Sequence, residues 1–355
     1  MSRKLENRLS WVDEIFRVRG PTETRFNKLR LDKNERVSDF SKNFFYDVVK
    51  KIKHEHLTTY PEIEALYDLL SKKLKVNKNS LVLTAGADAA IRSCFDLCVN
   101  KGDKVITLSP TFAMIDIYIK FYKAKQIKIK YDKNLKLNFE KLINSINSKI
   151  SLIVFANPNS PTGTILNHEQ INSILKKSKK KGVMVLIDEA YFGFSSYTAL
   201  PLIKRFPNLV IARTFSKSFG LAGCRAGYLV SQTKIAKRLF KLKPMYEINS
   251  IAVLIATELL KKTILVKRYL RETREGKKYL MEKLDSLNFE YLESHANFLH
   301  INFGKNKGIA EKLFKKNNIL VKGGPGVYGF ENYLRITLGP KKNMRAVTQV
   351  IKKIS

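Results

Sequence analysis

Short apolar runs that alternate with amphipathic stretches restrict the fold of this sequence more than any other feature. Seven such runs of four or five residues lie between residues 81 and 230, and runs of this kind predict buried β-strands. Helical patterns such as Ala87–Val99 and His168–Lys177 lie between them. This alternation predicts an α/β fold with a mainly parallel sheet covered by helices. The predicted strands are Leu81–Thr84, Lys104–Leu108, Gln126–Lys130, Leu152–Ala156, Val183–Ile187, Leu209–Ala212 and Gly227–Val230.

The pattern changes from about Ile248 onward. A long helical stretch, Thr263–Leu287, is followed by the strand-like segments Asn297–Ile301 and Tyr333–Thr337 and by a last helix after Pro340. This order of elements predicts a second, smaller α+β domain. A chain of 355 residues also exceeds what one simple core holds.

We therefore predict an N-terminal arm at 1–45, a large domain at 46–240 and a small domain at 241–355. The arm contains Trp11, Ile15 and Phe16, which indicate that it docks on another part of the protein rather than serving as a free linker. Two helix starts are also predicted. Asn167 with Gln170 resembles a capping box, and Pro61 is placed in the first turn of a helix.

The net charge of +35, from 66 Lys and Arg against 31 Asp and Glu, invites a nucleic-acid interpretation. The lysines, however, are spread over the whole length in short groups, which favours solvated lysine-rich faces and leaves a positive field for anionic substrates as an alternative. No stretch has the roughly 20 apolar residues of a membrane span, and no apolar signal core is present. Three cysteines without an export signal are expected to be reduced thiols in the cytoplasm.

A metal site is not expected. Cys94 and Cys98 lie four residues apart on one predicted helical face, but no histidine or further cysteine is near them in the sequence. Buried small side chains are the simpler interpretation.

The segment Arg213–Tyr228 carries a lysine in unusual surroundings. Lys217 follows an apolar strand, has hydroxyl neighbours at Thr214, Ser216 and Ser218, and precedes Arg225 by eight residues. A fixed cation and partial burial would depress the pKa of the lysine, as imine formation requires, and the same groups could hold a phosphate. A surface turn with a helix-capping serine is the alternative.

Two other predicted strands end in polar groups. Asp188 closes Val183–Ile187, and Asn157 opens a turn, Ala156–Gly163, directly after Leu152–Ala156. Ligands of doubly wound sheets bind at the carboxyl ends of strands, and a buried carboxylate needs a cationic partner such as a protonated pyridine. Helix capping or pairing with an arginine would also explain Asp188.

In this order the three segments resemble the fold type I pyridoxal-phosphate (PLP) aminotransferases, especially the histidinol-phosphate aminotransferase-like branch. The resemblance extends from about residue 31 to the end. Further segments that match are Leu31–Glu35, Tyr60–Pro61, Ala85–Asp88 and Tyr333–Gly339.

The resemblance implies a role for each matching residue. Lys217 would hold PLP as a Schiff base and move the substrate proton, Asp188 would keep the pyridine nitrogen protonated, and Tyr191 would contact the phenolic oxygen together with Asn157. The cofactor's other contacts would be Ser216, Thr214, Arg225, the N–H groups of Ala87 and Asp88, Phe112 against the ring, and Tyr60 from the partner subunit of a homodimer. Arg335, Asn34 and Lys322 would bind the anionic substrate.

The residues and the resemblance are compatible with three functions. The first is amino transfer from glutamate to a small anionic, phosphorylated carbonyl compound, with histidinol phosphate as the default. The second is decarboxylation of a phosphorylated amino acid on the same residues. The third, a binding role without catalysis, is disfavoured by Lys217, Asp188 and Arg225.

Two departures from the family leave a smaller phosphorylated or dicarboxylic substrate open. The arm offers Arg17, Arg19 and Arg25 where relatives have a Pro-Tyr contact, and Lys322 stands where they have a second arginine.

Overall fold

The computed structural model describes Ser10, Val12, Asp13, Ile15 and residues 24–354. The arm positions Trp11, Phe16, Arg17 and Arg19, which entered the sequence predictions, lie outside the described residues.

A seven-stranded sheet forms the centre of the larger part of the chain. Its strand order is β2-β8-β7-β6-β5-β3-β4, and all strands run in one direction except β8, which is antiparallel to β2 and β7. The mainly parallel sheet predicted from the sequence is therefore confirmed. The strands are β2 (Leu81–Thr84), β3 (Lys104–Ser109), β4 (Lys125–Lys130), β5 (Ile150–Ala156), β6 (Met184–Asp188), β7 (Leu209–Thr214) and β8 (Gly227–Ser231).

Helices cover both faces of this sheet. Alternate residues of a strand point to opposite faces; Ile187 and Ile211 pack into one apolar cluster, whereas Leu186 and Val210 pack into another on the opposite face. Since both faces are apolar, both must be covered. The helices up to residue 261 are α1 (Lys42–Val49), α2 (Glu55–Thr58), α3 (Glu64–Leu74), α4 (Gly86–Cys98), α5 (Ala113–Phe121), α6 (Phe139–Ser145), α7 (His168–Lys180), α8 (Thr233–Leu242) and α9 (Ser250–Lys261).

A four-stranded antiparallel sheet, in the order β12-β13-β10-β9, forms a second centre near the C-terminus. Its strands are β9 (Tyr291–Leu292), β10 (Phe298–Asn302), β12 (Lys322–Gly323) and β13 (Tyr333–Thr337). Helices α10 (Thr263–Ser286), α11 (Lys307–Lys316) and α12 (Lys341–Ile351) accompany it. The chain before α1 joins this part, because β1 (Leu29–Arg30) pairs in parallel with β11 (Ile319–Leu320).

Helix α9 packs its buried residues Ala252, Ala256 and Leu259 into a core cluster of the seven-stranded sheet. Helix α9 lies beyond residue 240, the predicted start of the small domain, but packs with the large sheet. The boundaries at 45 and 240 stay a prediction.

The predicted helix starts have different outcomes. The capping box is confirmed, because the Asn167 side chain accepts from the Gln170 N–H and the Gln170 side chain accepts from the Asn167 N–H, both at 2.9 Å. The placement of Pro61 in a first helical turn is wrong. Helix α3 begins at Glu64 and its first carbonyl acceptor is Ile63, so the proline lies in the preceding loop.

Within the described part of the chain, no helix has the length and apolar character needed to cross a bilayer.

Candidate active site

Polar residues gather at one edge of the seven-stranded sheet because of its strand directions. The parallel strands β5, β6 and β7 end there, and the antiparallel β8 begins there. Asp188 is paired with Ala156 on one side and Ala212 on the other, and Gly227 is paired with both Thr84 and Thr214. The sheet register thus places the chain segments that follow these residues around one crevice, as expected for ligand sites in such folds.

A cavity of about 480 Å³ occupies this crevice. Its volume suits a small organic ligand. Twelve of the predicted site residues line it: Asn34, Ala87, Asp88, Phe112, Asp188, Tyr191, Thr214, Ser216, Lys217, Lys322, Arg225 and Arg335. Six further lining residues were not predicted individually, although five of them lie in segments that the sequence singled out: Asp32, Lys33, Glu35, Ser160, Ala190 and Ala222.

Lys217 lies in a tight loop after β7. The loop is closed by backbone hydrogen bonds from Leu221 N–H to the Phe215 carbonyl and from Phe215 N–H to the Ala226 carbonyl. The Lys217 ammonium donates to the Lys33 carbonyl at 2.8 Å. Burial lowers the pKa of Lys217, with Arg335 contributing to the shift and Tyr191 opposing it. This lysine is therefore easier to deprotonate than a solvated one.

Asp188 is a buried carboxylate at the end of β6, with 4% of its surface exposed. One of its oxygens accepts from the Ala190 N–H at 2.9 Å, and no described side chain forms an ion pair with it. Burial raises the pKa of Asp188 to about 7, against the opposing effects of that hydrogen bond and of Lys217. A carboxylate in this setting lacks a cation.

Arg225 faces the start of α4. Its Nη1 donates to the Ser216 hydroxyl at 3.3 Å, and that hydroxyl also accepts from Thr214 Oγ1 at 2.9 Å. Gly86 at φ +87° is required here, because a Cβ would come within 2.8 Å of Arg225 Nη2. The guanidinium, two hydroxyls and the first N–H groups of a helix are the kinds of group that bind anions.

The opposite wall of the cavity comes from the chain before α1 and from the small sheet. Arg335 donates from Nη2 to the Asp32 carbonyl at 2.7 Å, and its buried Nε has no partner among the described residues. Lys322 and His300 are its cross-strand neighbours. Asn34 donates from Nδ2 to the Tyr191 hydroxyl at 2.9 Å, which leaves the tyrosine's own proton available.

Two predicted site residues lie apart from the cavity lining. The Asn157 side chain is buried and pairs with Leu166 in both directions, accepting from its N–H at 2.8 Å and donating to its carbonyl at 3.2 Å. Tyr60 is 69% exposed and stacks on Tyr246, with ring centroids 3.8 Å apart.

A buried ion pair behind the site was missed from the sequence. Arg213 donates to Glu189 at 2.8 Å, both side chains are nearly inaccessible, and the Phe192 ring lies 3.6 Å from the guanidinium. The signal was present, because these charged residues adjoin Asp188 and Thr214 at the ends of buried strands. The pair ties β6 to β7 at the edge where the site lies.

Comparison with known proteins identifies the family. Residues 28–354 match the family model described as aminotransferase class I and II. The chain belongs to this family. A histidinol-phosphate aminotransferase of Caldanaerobacter subterraneus subsp. tengcongensis is 33% identical over 317 residues, 88% of each chain. One from Carboxydothermus hydrogenoformans is 31% identical over 354 residues, 98% of this chain and 99% of the relative.

Solved structures agree on the fold of this class I/II aminotransferase. The histidinol-phosphate aminotransferase of Sinorhizobium meliloti, solved in complex with pyridoxal-5'-phosphate, superposes with a TM-score of 0.84, 21% identity and 97% coverage of both chains. The Clostridium acetobutylicum enzyme gives 0.81 at 22% identity, covering 92% of this chain and 98% of that one. The chain has the fold type I aminotransferase structure, and its family is PLP-dependent.

The residues present at the site fit PLP. Asp188 lacks a cation that a pyridinium would supply, and Arg225 lacks an anionic partner among the described residues, which a phosphate would supply. Lys217 has the lowered pKa that suits imine chemistry, and it lines the same cavity as both. The charge of each residue therefore complements one part of the cofactor.

Proposed function

We propose that this aminotransferase moves an amino group between glutamate and a small phosphorylated carbonyl compound, as a histidinol-phosphate aminotransferase does. The observation that carries the proposal is that one cavity contains Lys217 and two guanidinium groups, Arg225 and Arg335. Neither guanidinium forms an ion pair with a described residue. The site thus offers one anion position for the cofactor and a second for the substrate.

PLP, when bound, supplies an electron-accepting ring that stabilises negative charge at the substrate's α-carbon. We propose that Asp188 keeps the pyridine nitrogen protonated. Tyr191 can donate its hydroxyl proton to the phenolic oxygen, because its oxygen already accepts from Asn34. Asn157 retains one N–H for the same oxygen after its two contacts with Leu166.

Arg225, Ser216, Thr214 and the N–H groups of Ala87 and Asp88 would hold the phosphate, and Phe112 would cover one face of the ring. All of these residues line the cavity. The arrangement supports this assignment because a helix N-terminus and a guanidinium both favour a dianion.

Lys217 would act as the general base that moves the proton of the substrate's α-carbon. A base must be unprotonated, and burial lowers the lysine's pKa in that direction. The Lys33 carbonyl, 2.8 Å from Nζ, orients the amine toward the cavity.

Arg335 would bind the substrate's anionic end, with Lys322 adding a second positive charge from the neighbouring strand. Arg25 is not available for this role, because it pairs with Asp32 at 2.5 Å and with Glu35 at 2.9 Å. Of the three arm arginines named from the sequence, Arg25 is the one within the described residues, and it is thereby neutralised. We propose Arg335 and Lys322 as the substrate cations.

The visible absorbance of the PLP-loaded protein tests this function. Glutamate should bleach the cofactor band, and imidazole-acetol phosphate should restore it faster than oxaloacetate, an unphosphorylated dicarboxylic acceptor. A band that glutamate leaves unchanged would contradict amino transfer and favour decarboxylation. Restoration by oxaloacetate alone would contradict the phosphorylated substrate.

We also propose a homodimer in which Tyr60 reaches the partner's phosphate site. Tyr60 does not line the cavity of its own chain. Leu57, three residues before it, and Tyr246, which stacks on it, are at least half exposed. Exposed apolar groups of this size are typical of protein interfaces. Light scattering should give twice the chain mass of 40.8 kDa.

A further inference from the structure

The turn Ala85–Asp88 consists of the N-cap and the first three residues of α4, and side chains from elsewhere in the chain contact it. The Thr84 hydroxyl donates to the Gly86 carbonyl at 2.9 Å. Glu247, 162 residues further along the chain, accepts from the Ala85 N–H at 2.9 Å. Arg225 Nη2 lies 3.5 Å from the Ala85 carbonyl. The N–H and the carbonyl of Ala85 are therefore both in contact with side chains that are distant in sequence.

Glu247 has little else to hold it in place. Its Oε2 is buried and has no partner among the described residues. Lys243 is the nearby cation, but its ammonium donates to the Pro244 carbonyl at 3.1 Å. Burial raises the pKa of Glu247, opposed by the Ala85 hydrogen bond and Lys243. The hydrogen bond to Ala85 is thus the specific contact this carboxyl group makes.

The Ala85 N–H belongs to the group of donors left free at the start of a helix. When Glu247 accepts from it, the N–H groups of Ala87 and Asp88 remain for a ligand. The same hydrogen bond fixes the Thr84–Ala85 peptide plane, at the residue that leads into the helix. A negative charge this close to a bound dianion weakens its binding. Glu247 therefore has two opposing effects on phosphate binding: its oxygen acceptor favours binding by holding the turn, and its charge disfavours binding.

We propose that Glu247 is a positioning residue for the cofactor's phosphate, acting through the Ala85 N–H to hold the turn Ala85–Asp88 in place beside Arg225. The inference rests on the proposed phosphate site. Glu247 itself does not line the cavity. Its effect should therefore depend on the phosphate and be absent for a ligand without one.

Affinity for PLP and for pyridoxal, which lacks the phosphate, separates this role from a purely structural one. Glu247→Met keeps the side-chain volume but loses the oxygen acceptor, and it should weaken PLP binding about tenfold while pyridoxal binding stays within about twofold. Glu247→Gln keeps an acceptor and removes the charge, so PLP should bind at least as tightly as in the unaltered protein. Both constants come from titrating the fluorescence of the cofactor-free protein.

Three results would overturn the proposal: equal weakening of PLP and pyridoxal, no weakening in Glu247→Met, or a Gln variant as weak as the Met variant. If the Met variant does not fold, as judged by thermal melting, Glu247→Ala gives the same comparison. Glu258→Gln is the matched control. Glu258 is a buried carboxylate that pairs with Lys51 and Lys261 and makes no contact with the turn, so both affinities should be unchanged.

The same titration tests the proposed phosphate site and the role of Glu247 separately. Failure of the unaltered protein to prefer PLP over pyridoxal would reject the phosphate site itself. A clear preference for PLP that Glu247→Met leaves intact would reject only the role of Glu247.

Discussion

The two walls of the cavity are built differently. On the sheet-edge wall, Asp188 lies within a strand and Ser216 and Arg225 lie within two residues of one, so the register of the sheet sets their positions. On the opposite wall, Arg335 is held by the Asp32 carbonyl, which is 303 residues away in sequence. The positions of the cofactor-side residues are therefore set by one sheet, whereas the substrate side forms only when the chain before α1 docks on the small sheet.

Each wall contains both buried and exposed groups, because Arg225 on the sheet-edge wall is exposed and Arg335 on the opposite wall has a buried Nε. Asp188 is 4% exposed, whereas Lys322 lies on the surface. Buried charges have large energetic effects and exposed ones have small effects. Substitution of a buried charge such as Asp188 should accordingly be severe, and substitution of an exposed charge such as Lys322 should be mild.

Replacement of Lys217 should have the largest effect. Lys217→Ala removes both the attachment point and the proposed base, so transamination should fall by at least about 10³-fold. Borohydride reduction followed by mass spectrometry should find the cofactor on the peptide containing residue 217 in the unaltered protein and on no peptide in the variant. Lys181→Ala, an exposed lysine at the end of α7, should behave like the unaltered protein. Cofactor attached to another lysine in Lys217→Ala would contradict the assignment.

The next largest effect is a pH dependence of stability from Asp188. Because its folded-state pKa is raised to about 7, the folded cofactor-free protein holds more protons than the unfolded chain between about pH 4 and pH 7. The contribution of Asp188 to stability should fall as pH rises through that range, by up to about 4 kcal/mol for a shift of about three units, while His300, whose pKa burial lowers to about 4, contributes with the opposite sign.

Urea unfolding at pH 5 and pH 8 measures this slope. Asp188→Asn should remove most of it, and PLP should reduce it in the unaltered protein by giving the carboxylate a cation. An identical slope in the Asn variant would show that other groups cause the pH dependence.

Arg335 should show an intermediate effect on the other wall. Arg335→Ala should raise the KM for the phosphorylated acceptor by about 10- to 150-fold, which corresponds to the free energy of one charge-assisted hydrogen bond. Arg335→Lys should recover only part of this, since lysine lacks the planar fork. The cofactor absorbance should stay unchanged. Loss of that band would show that Arg335 is needed to bind the cofactor, which would contradict its assignment to the substrate.

Lys322 should show the smallest effect. Lys322→Ala should raise the same KM by about two- to fivefold at low salt and less at 200 mM salt, because an exposed charge is screened. Lys322→Arg should lower the KM slightly. An effect of Lys322→Ala as large as that of Arg335→Ala would mean that both residues share one buried anion site.

The sequence by itself determined the fold class and the chemical groups of the site. Strand periodicity is local, so all seven strands were predicted to within two residues of their observed ends, and twelve of the fourteen predicted site residues line one cavity. Asp188, Asn157 and Lys217 could be found because each closes or follows a recognisable apolar strand.

Tertiary structure decided which partner each polar group has. The pairing of Arg25 with Asp32 and Glu35, of Asn157 with Leu166, and of Ala85 with Glu247 is not encoded in any local pattern. Hydrogen bonds and ion pairs act over a few ångströms, whereas these partners are up to 162 residues apart in sequence. Only the packing of the elements brings such groups within range of each other.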